Sequence, residues 1–91
     1  MQDGTAFVYV LRSVSDGWYY VGSSVDPHRR LMEHNAGECT STRARRPYEL
    51  VHVEPFPSLA AARKREQQIK RKKSRRYIGW LIAGQSVGLR G

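Results

Sequence analysis

Apolar positions along the chain fall in short runs with two different periods. Ala6–Ser13 (AFVYVLRS) and Trp18–Ser24 (WYYVGSS) are rich in β-branched and aromatic residues. Asp16-Gly17 between them is a turn signal, which predicts a β-hairpin. Asp26-Pro27 supplies an N-cap and a proline at the first helical position, so a helix is expected from Pro27 to about Ala36, stopped by Gly37. Residues 37–47 (GECTSTRARRP) have no apolar period and read as a loop. Tyr48–Phe56 (YELVHVEPF) alternates and predicts a third strand, which Pro55 marks as an edge or an end. Ser58 can cap a second helix from Leu59 to about Lys73, and Ser74 a third from Arg75 to Ala83 that Gly84 ends. The order is β-β-α-β-α-α. This is an α+β fold, a small three-stranded antiparallel sheet flanked by three helices. One domain is expected over 1–91, with its core at about 6–84 and a frayed tail at 85–91.

A core this small is thin, so polar residues on core-facing positions are informative. In the second helix Leu59, Ala62, Glu66 and Ile69 share one stripe, while Arg63, Lys64, Gln67, Lys70 and Arg71 face water. A carboxylate in the apolar stripe must be paired, hydrogen-bonded or bound to a metal. The plain pairing is a salt bridge to Arg63 or Lys70. In the first helix His28, Leu31, Met32 and Asn35 cluster on one face, with Leu31 and Met32 as apolar anchors. Arg30 and His34, four apart, share a neighbouring face. Such a pair suits phosphate binding and proton transfer, or is simply a solvated polar face. Tyr9 and Tyr20 are separated by an odd number, so any even-length hairpin loop puts them on one sheet face. A loop of Asp16-Gly17 pairs Tyr9 with Ser24. A turn centred on Val14-Ser15 sets the two tyrosines directly opposite. Paired phenols pack at a core edge or, near a metal, orient and deprotonate a water.

Charge adds a direction. The chain has 16 Lys plus Arg against 8 Asp plus Glu, a formal net charge of +8. Up to Thr42 the bases are Arg12, Arg29 and Arg30, and the acids Asp3, Asp16, Asp26, Glu33 and Glu38 outnumber them. Beyond Thr42 only Glu49, Glu54 and Glu66 are acidic, so the positive excess lies wholly in the second half. That asymmetry points to a polyanionic partner, with nucleic acid first. Arg43, Arg45 and Arg46 in the loop, and the bases from Arg63 to Arg76 on the later helices, are placed to follow or flank a phosphate backbone. Charge does not discriminate DNA from RNA. The 91 residues exclude a barrel enzyme, and 40% hydrophobic residues exclude a disordered tail. No apolar run is long enough to span a bilayer, and no signal peptide is visible. A single cysteine, Cys39, excludes an internal disulfide, so a reducing cytoplasmic location is expected. Cys39 and His52 read as structural or incidental.

Together these residues resemble the GIY-YIG nuclease family. The resemblance begins at Phe7-Val8-Tyr9 and Tyr20-Val21-Gly22. It continues through Arg29-Arg30-Leu31, Glu33-His34-Asn35 and Pro47-Tyr48-Glu49-Leu50-Val51, then through Ala61–Glu66 to Lys70. It is nearest to the small single-domain members, related to the N-terminal nuclease module of an excinuclease. The resemblance implies a DNA endonuclease that hydrolyses phosphodiesters with one divalent metal, Mg²⁺ or Mn²⁺, in DNA repair or recombination. Glu66 would be the only protein ligand to the metal. Tyr9 and Tyr20 would position the attacking water, with Tyr9 accepting its proton. Arg30 would stabilise the transition state, His34 would donate to phosphate or relay a proton, and Lys70 would bind the nucleic acid with the loop arginines. Phe7 stands where the family name has glycine. The family's late asparagine has no counterpart, since Asn35 is the only Asn and lies too early; Ser74 and Tyr77 are the substitutes on offer. That gap supports an alternative, a catalytically weak or inactive nucleic-acid-binding module on the same fold. A third reading is an interaction role through Tyr77–Ile82. With no second domain to read a site, specificity would come from DNA shape or a protein partner.

Overall fold

The computed structural model describes residues 4–88, with side chains to residue 84. Strands β1 (Ala6–Ser13) and β2 (Tyr19–Ser24) precede helix α1 (Pro27–Asn35). A 3-10 turn at Arg43–Arg45 leads to β3 (Tyr48–Phe56), and α2 (Leu59–Lys72) and α3 (Arg75–Gly88) follow. The sheet order is β2-β1-β3, with β1 antiparallel to both neighbours. This is the expected α+β architecture. β1 takes the centre because both of its faces are apolar: Ala6, Val8 and Val10 on one, Tyr9 and Leu11 on the other, all buried.

Helices cover both faces. Ala62 and Ile69 of α2 and Leu81 of α3 pack on Ala6, Val8, Val10 and Val21. On the opposite face Leu31 of α1 packs with Tyr9, Leu11, Tyr20, Tyr48 and Leu50. The caps are those expected. Asp26 accepts the Arg29 N–H, Ser58 that of Ala61 and Ser74 that of Tyr77, each at 3.1 Å. Among the described residues no helix is long and apolar enough to cross a membrane.

Several boundaries and faces differ from expectation. α3 continues through Gly84 to Gly88, so Gly84 does not end it; of the expected frayed tail, 85–88 are helical and 89–91 lie outside the described residues. α2 ends at Lys72, and Lys73 takes the left-handed conformation. The loop 37–47 contains the 3-10 turn. In α1 Pro27 and His34 are buried and Leu31 is partly buried, whereas Met32 is 71% exposed and His28 is exposed. Met32 is therefore no anchor. The helix is rotated so that His34, not a hydrophobe, reaches the core.

The hairpin adopts neither predicted register. Tyr9 pairs with Gly22 and Leu11 with Tyr20, and the loop is Val14–Gly17. Side chains set this intermediate choice. Ser13 Oγ accepts the Asp16 N–H, Asp16 Oδ1 accepts the Trp18 N–H, and Gly17 takes φ +79°. Tyr9 and Tyr20 share one face, as their odd spacing requires. In the β1–β3 ladder a bulge between Val10 and Leu11 breaks the alternation of β3. Regular pairing would set Val51 opposite Leu11; the bulge sets Leu50 there and Tyr48 opposite Ser13. Tyr48 and Leu50 are thereby turned to the α1 face.

Candidate active site

The site starts from Tyr9 at the centre of the sheet. Its ring lies over Gly22 of the neighbouring strand, where a Cβ would stand 2.6 Å from Cζ and Oη. Only glycine leaves room for the phenol. Tyr20, diagonal to it, has its ring centroid 6.3 Å from that of Tyr9 and 4.7 Å from that of His34. His34 is fully buried, with Nε2 3.4 Å from Tyr9 Oη and Nδ1 2.8 Å from Thr42 Oγ1. Tyr48 meets the imidazole edge-on at 6.2 Å, which is what the β3 bulge accomplishes locally. Arg30, one turn before His34 on α1, donates to Glu33, and its charge acts on the Tyr9 hydroxyl. Asn35 closes α1 onto β3, donating to Tyr48 O at 3.1 Å and accepting the Tyr48 N–H at 2.7 Å. The asparagine thus extends the strand pairing by one side chain.

Glu66 lies on the α2 side of edge strand β2. Its carboxylate is 14% exposed. Ser23 Oγ donates to Oε1 and Lys70 Nζ to Oε2, both at 2.6 Å. The plain pairing is thus present, to Lys70 rather than Arg63. The Lys70 ammonium is also 5.9 Å from the Tyr20 ring centroid, so one side chain spans from the carboxylate to the phenols. The charge of Glu66 is felt at both Tyr9 and Tyr20.

Burial dominates the titration of the cluster. It pushes the Tyr9 hydroxyl above the usual phenol range, against the opposing influence of the nearby Arg30 guanidinium. Burial raises Tyr20 as well, with the charge of ionised Cys39 adding to the rise. It lowers His34, and the Arg30 charge lowers it further. At neutral pH the cluster holds two protonated phenols beside an uncharged imidazole.

Of the residues singled out in the sequence, Tyr9, Tyr20, Arg30 and His34 form one contiguous cluster, and Glu66 with Lys70 borders it across β2. The loop arginines have partners within the chain. Arg43 Nε donates to Gly37 O at 3.0 Å, and the Arg46 guanidinium lies against Gly37. Arg45 pairs with Asp16 Oδ2 at 2.6 Å and lies 4.1 Å from the centroid of Trp18. Ser74 and Tyr77 do not join the cluster: the first caps α3, and the second accepts from Arg65 and stacks on Trp80. His52 is buried and bonded to Glu54 at 2.8 Å. Ser23 and Thr42 were missed by sequence reasoning. Ser23 had a signal, a hydroxyl sharing its strand face with buried Val21, but Thr42 lies in a loop with no period to break.

The donor set tests which metal fits. Glu66 offers hard carboxylate oxygens beside a serine hydroxyl, and the described residues contain no cluster of three or more His, Cys, Asp or Glu. That excludes a closed soft-donor cage among these residues and fits a hard divalent cation that keeps most of its waters.

Known proteins resemble the chain over most of its length. A family model described as the GIY-YIG catalytic domain matches residues 5–78. A UPF0213 protein of Natronomonas pharaonis is 49% identical over 65 residues, covering 70% of this chain and 75% of the relative. One of Streptococcus pneumoniae serotype 4 is 43% identical over 88 residues, covering 96% and 88%. The solution NMR structure of a UPF0213 protein from Bacillus halodurans superimposes with a TM-score of 0.53 at 35% identity, over 87% of this chain and 83% of that one.

Proposed function

The chain belongs to the GIY-YIG family, and from that premise we propose that it is a DNA endonuclease that hydrolyses phosphodiester bonds with a divalent metal, Mg²⁺ or Mn²⁺. The observation that carries this reading is the Tyr9–His34–Arg30 cluster bordering a Glu66 carboxylate within an otherwise apolar stripe.

Glu66 is the proposed metal ligand, with Ser23 holding its carboxylate in place. Bound there, a divalent cation supplies polarisation of the scissile phosphate and charge for the leaving oxygen. The remaining chemistry belongs to the chain. Tyr20 and Tyr9 orient a water. As its oxygen bonds to phosphorus, its proton passes to Tyr9 Oη, and the original Tyr9 proton passes to His34 Nε2. A raised phenol cannot act as a free phenolate at neutral pH, so it must give up one proton as it takes another. The phosphorus–oxygen bond to the leaving group breaks, and that oxygen takes a proton from solvent. The Arg30 donors face the developing charge on the phosphoryl oxygens. Lys70 and Arg46 flank the backbone of the nucleic acid.

The test is nicking of plasmid DNA by purified protein with Mg²⁺ or Mn²⁺, lost in Glu66→Ala with the fold retained. Equal activity in the variant would assign the cleavage to a contaminant. One observation favours a second reading. The Lys70 ammonium satisfies Glu66 without a metal, as in a nucleic-acid-binding module that does not cleave. In that case wild type binds DNA without nicking it, and binding survives Glu66→Ala.

A further inference from the structure

Thr42 is the N-cap residue of the Arg43–Arg45 turn, a position where threonine ordinarily bonds the turn's own backbone. Its side chain makes no such capping bond. The hydroxyl is buried and lies 2.8 Å from His34 Nδ1 and 3.3 Å from Cys39 O. The backbone of Thr42 is held from both sides. Its N–H donates to Cys39 O at 3.2 Å, and its carbonyl accepts the Tyr48 hydroxyl at 3.1 Å. Thr42 is therefore fixed against the imidazole, and its hydroxyl is free of the usual local duty.

We propose that Thr42 selects the tautomer of His34, holding the proton on Nδ1 and leaving Nε2 as the acceptor that faces Tyr9. Proton counting from the Thr42 end gives this result, and the Tyr9 end agrees with it. A carbonyl only accepts, so the Thr42 hydroxyl hydrogen goes to Cys39 O, and its oxygen is left to accept Nδ1–H. At the other end the positive Arg30 guanidinium acts on the Tyr9 oxygen, which turns the hydroxyl hydrogen away from that charge. The hydrogen of Tyr9 must then find an acceptor, and His34 Nε2 at 3.4 Å is one. The Thr42 end requires Nδ1–H, and the Tyr9 end agrees with a bare Nε2. With the opposite tautomer the imidazole could accept nothing from the Tyr9 hydroxyl. Thr42 is thus a positioning residue: it touches no reacting atom and acts through His34.

The tautomer stands apart from the nuclease reading, whereas its effect on rate rests on that reading. The experiment uses the full chain labelled with ¹⁵N histidine and long-range ¹H–¹⁵N correlation at neutral pH. His34 is expected to show a protonated Nδ1 and an unprotonated Nε2 in wild type and in Thr42→Ser. Thr42→Val, which keeps the shape and removes the acceptor, is expected to shift His34 toward Nε2–H. An Nε2–H tautomer in wild type, or an unchanged tautomer in a folded Thr42→Val, overturns the proposal; the wild-type measurement decides even if that variant fails to fold. In plasmid nicking Thr42→Val should lose roughly 10²-fold in kcat at unchanged KM, with Thr42→Ser restoring the rate. Full activity in a variant whose tautomer has flipped overturns the positioning role. No nicking by wild type overturns the nuclease reading alone, with the tautomer still read by NMR.

Discussion

Gly22 sits directly across the ladder from Tyr9, and the phenol occupies the space that any side chain at position 22 would need. The ring cannot simply swing away. It is buried and packed between Tyr20 and His34. Gly22→Ala should therefore displace Tyr9 Oη from His34, abolish nicking and destabilise the fold by about 1–3 kcal/mol, the usual cost of overpacking. Urea unfolding gives the second quantity. Aromatic NMR shifts of Tyr9 in the folded variant check that the phenol has moved; unmoved shifts with lost activity would contradict this account.

The elements were legible because their signals are local. Asp26-Pro27, Ser58 and Ser74 each cap the helix they announce. Glu66 was legible because a carboxylate interrupts an otherwise apolar stripe. The register was not, since Asp16 and Ser13 choose the loop through side-chain bonds that composition does not rank. His34 was read beside Arg30 on a polar face, and it is buried because α1 turns Leu31, rather than Met32, to the sheet. Nor could a periodic reading place Tyr48 near His34, since a bulge in β3 brings it there. Local rules held where a residue acts on its own neighbours and failed where a partner from another element decides.

The Arg30 guanidinium donates to Glu33, and its charge acts on Tyr9. Lysine keeps the charge and loses the planar fork. Arg30→Lys is expected to lower kcat about 10²-fold, as loss of one oriented donor does, with KM nearly unchanged. Steady-state nicking of supercoiled DNA measures both constants. A variant as fast as wild type would remove Arg30 from the transition state.

If Glu66 is the metal ligand proposed above, Lys70 competes for it. Its ammonium takes the Oε2 that a hard cation also seeks, in a pair whose lysine is 45% exposed. Such a pair is worth about 1 kcal/mol at most. Lys70→Met should therefore tighten Mn²⁺ binding to the DNA-free protein roughly five-fold. The same substitution should weaken DNA binding. Calorimetric titration with the metal alone, then DNA titration at several salt concentrations, separates the two effects.

The loop arginines should divide in their roles. Arg45 is engaged by Asp16 and Trp18, and its carbonyl accepts Ser13 Oγ at 2.6 Å. Arg46 has its guanidinium against Gly37 on an exposed residue. Arg46→Ala is expected to reduce the log–log salt slope of DNA binding by ~0.9, one phosphate contact. Arg45→Ala should instead alter Trp18 fluorescence and leave more of the slope intact. Equal slopes in both variants would return Arg45 to the phosphate-binding set.

Glu54 makes stability depend on acid. His52 Nε2 bonds its Oε2 at 2.8 Å, and Arg65 reaches it with Nε at 2.9 Å and Nη2 at 3.3 Å, tying β3 to α2. The His52 hydrogen bond and the Arg65 pairing hold this carboxyl at about 2 against an ordinary 4.5. The folded state therefore prefers the charged form. Its stabilisation is complete above the unfolded value near 4.5, declines as pH falls below it and is gone once pH has passed the folded value near 2. The pKa difference corresponds to about 3 kcal/mol. The unfolding free energy from urea titrations should fall by that much between pH 6 and pH 2 in wild type. Glu54→Gln should start lower at pH 6 and lose less on acidification, because its amide has no proton to gain. An equally steep acid loss in that variant would place the sensitive carboxyl elsewhere.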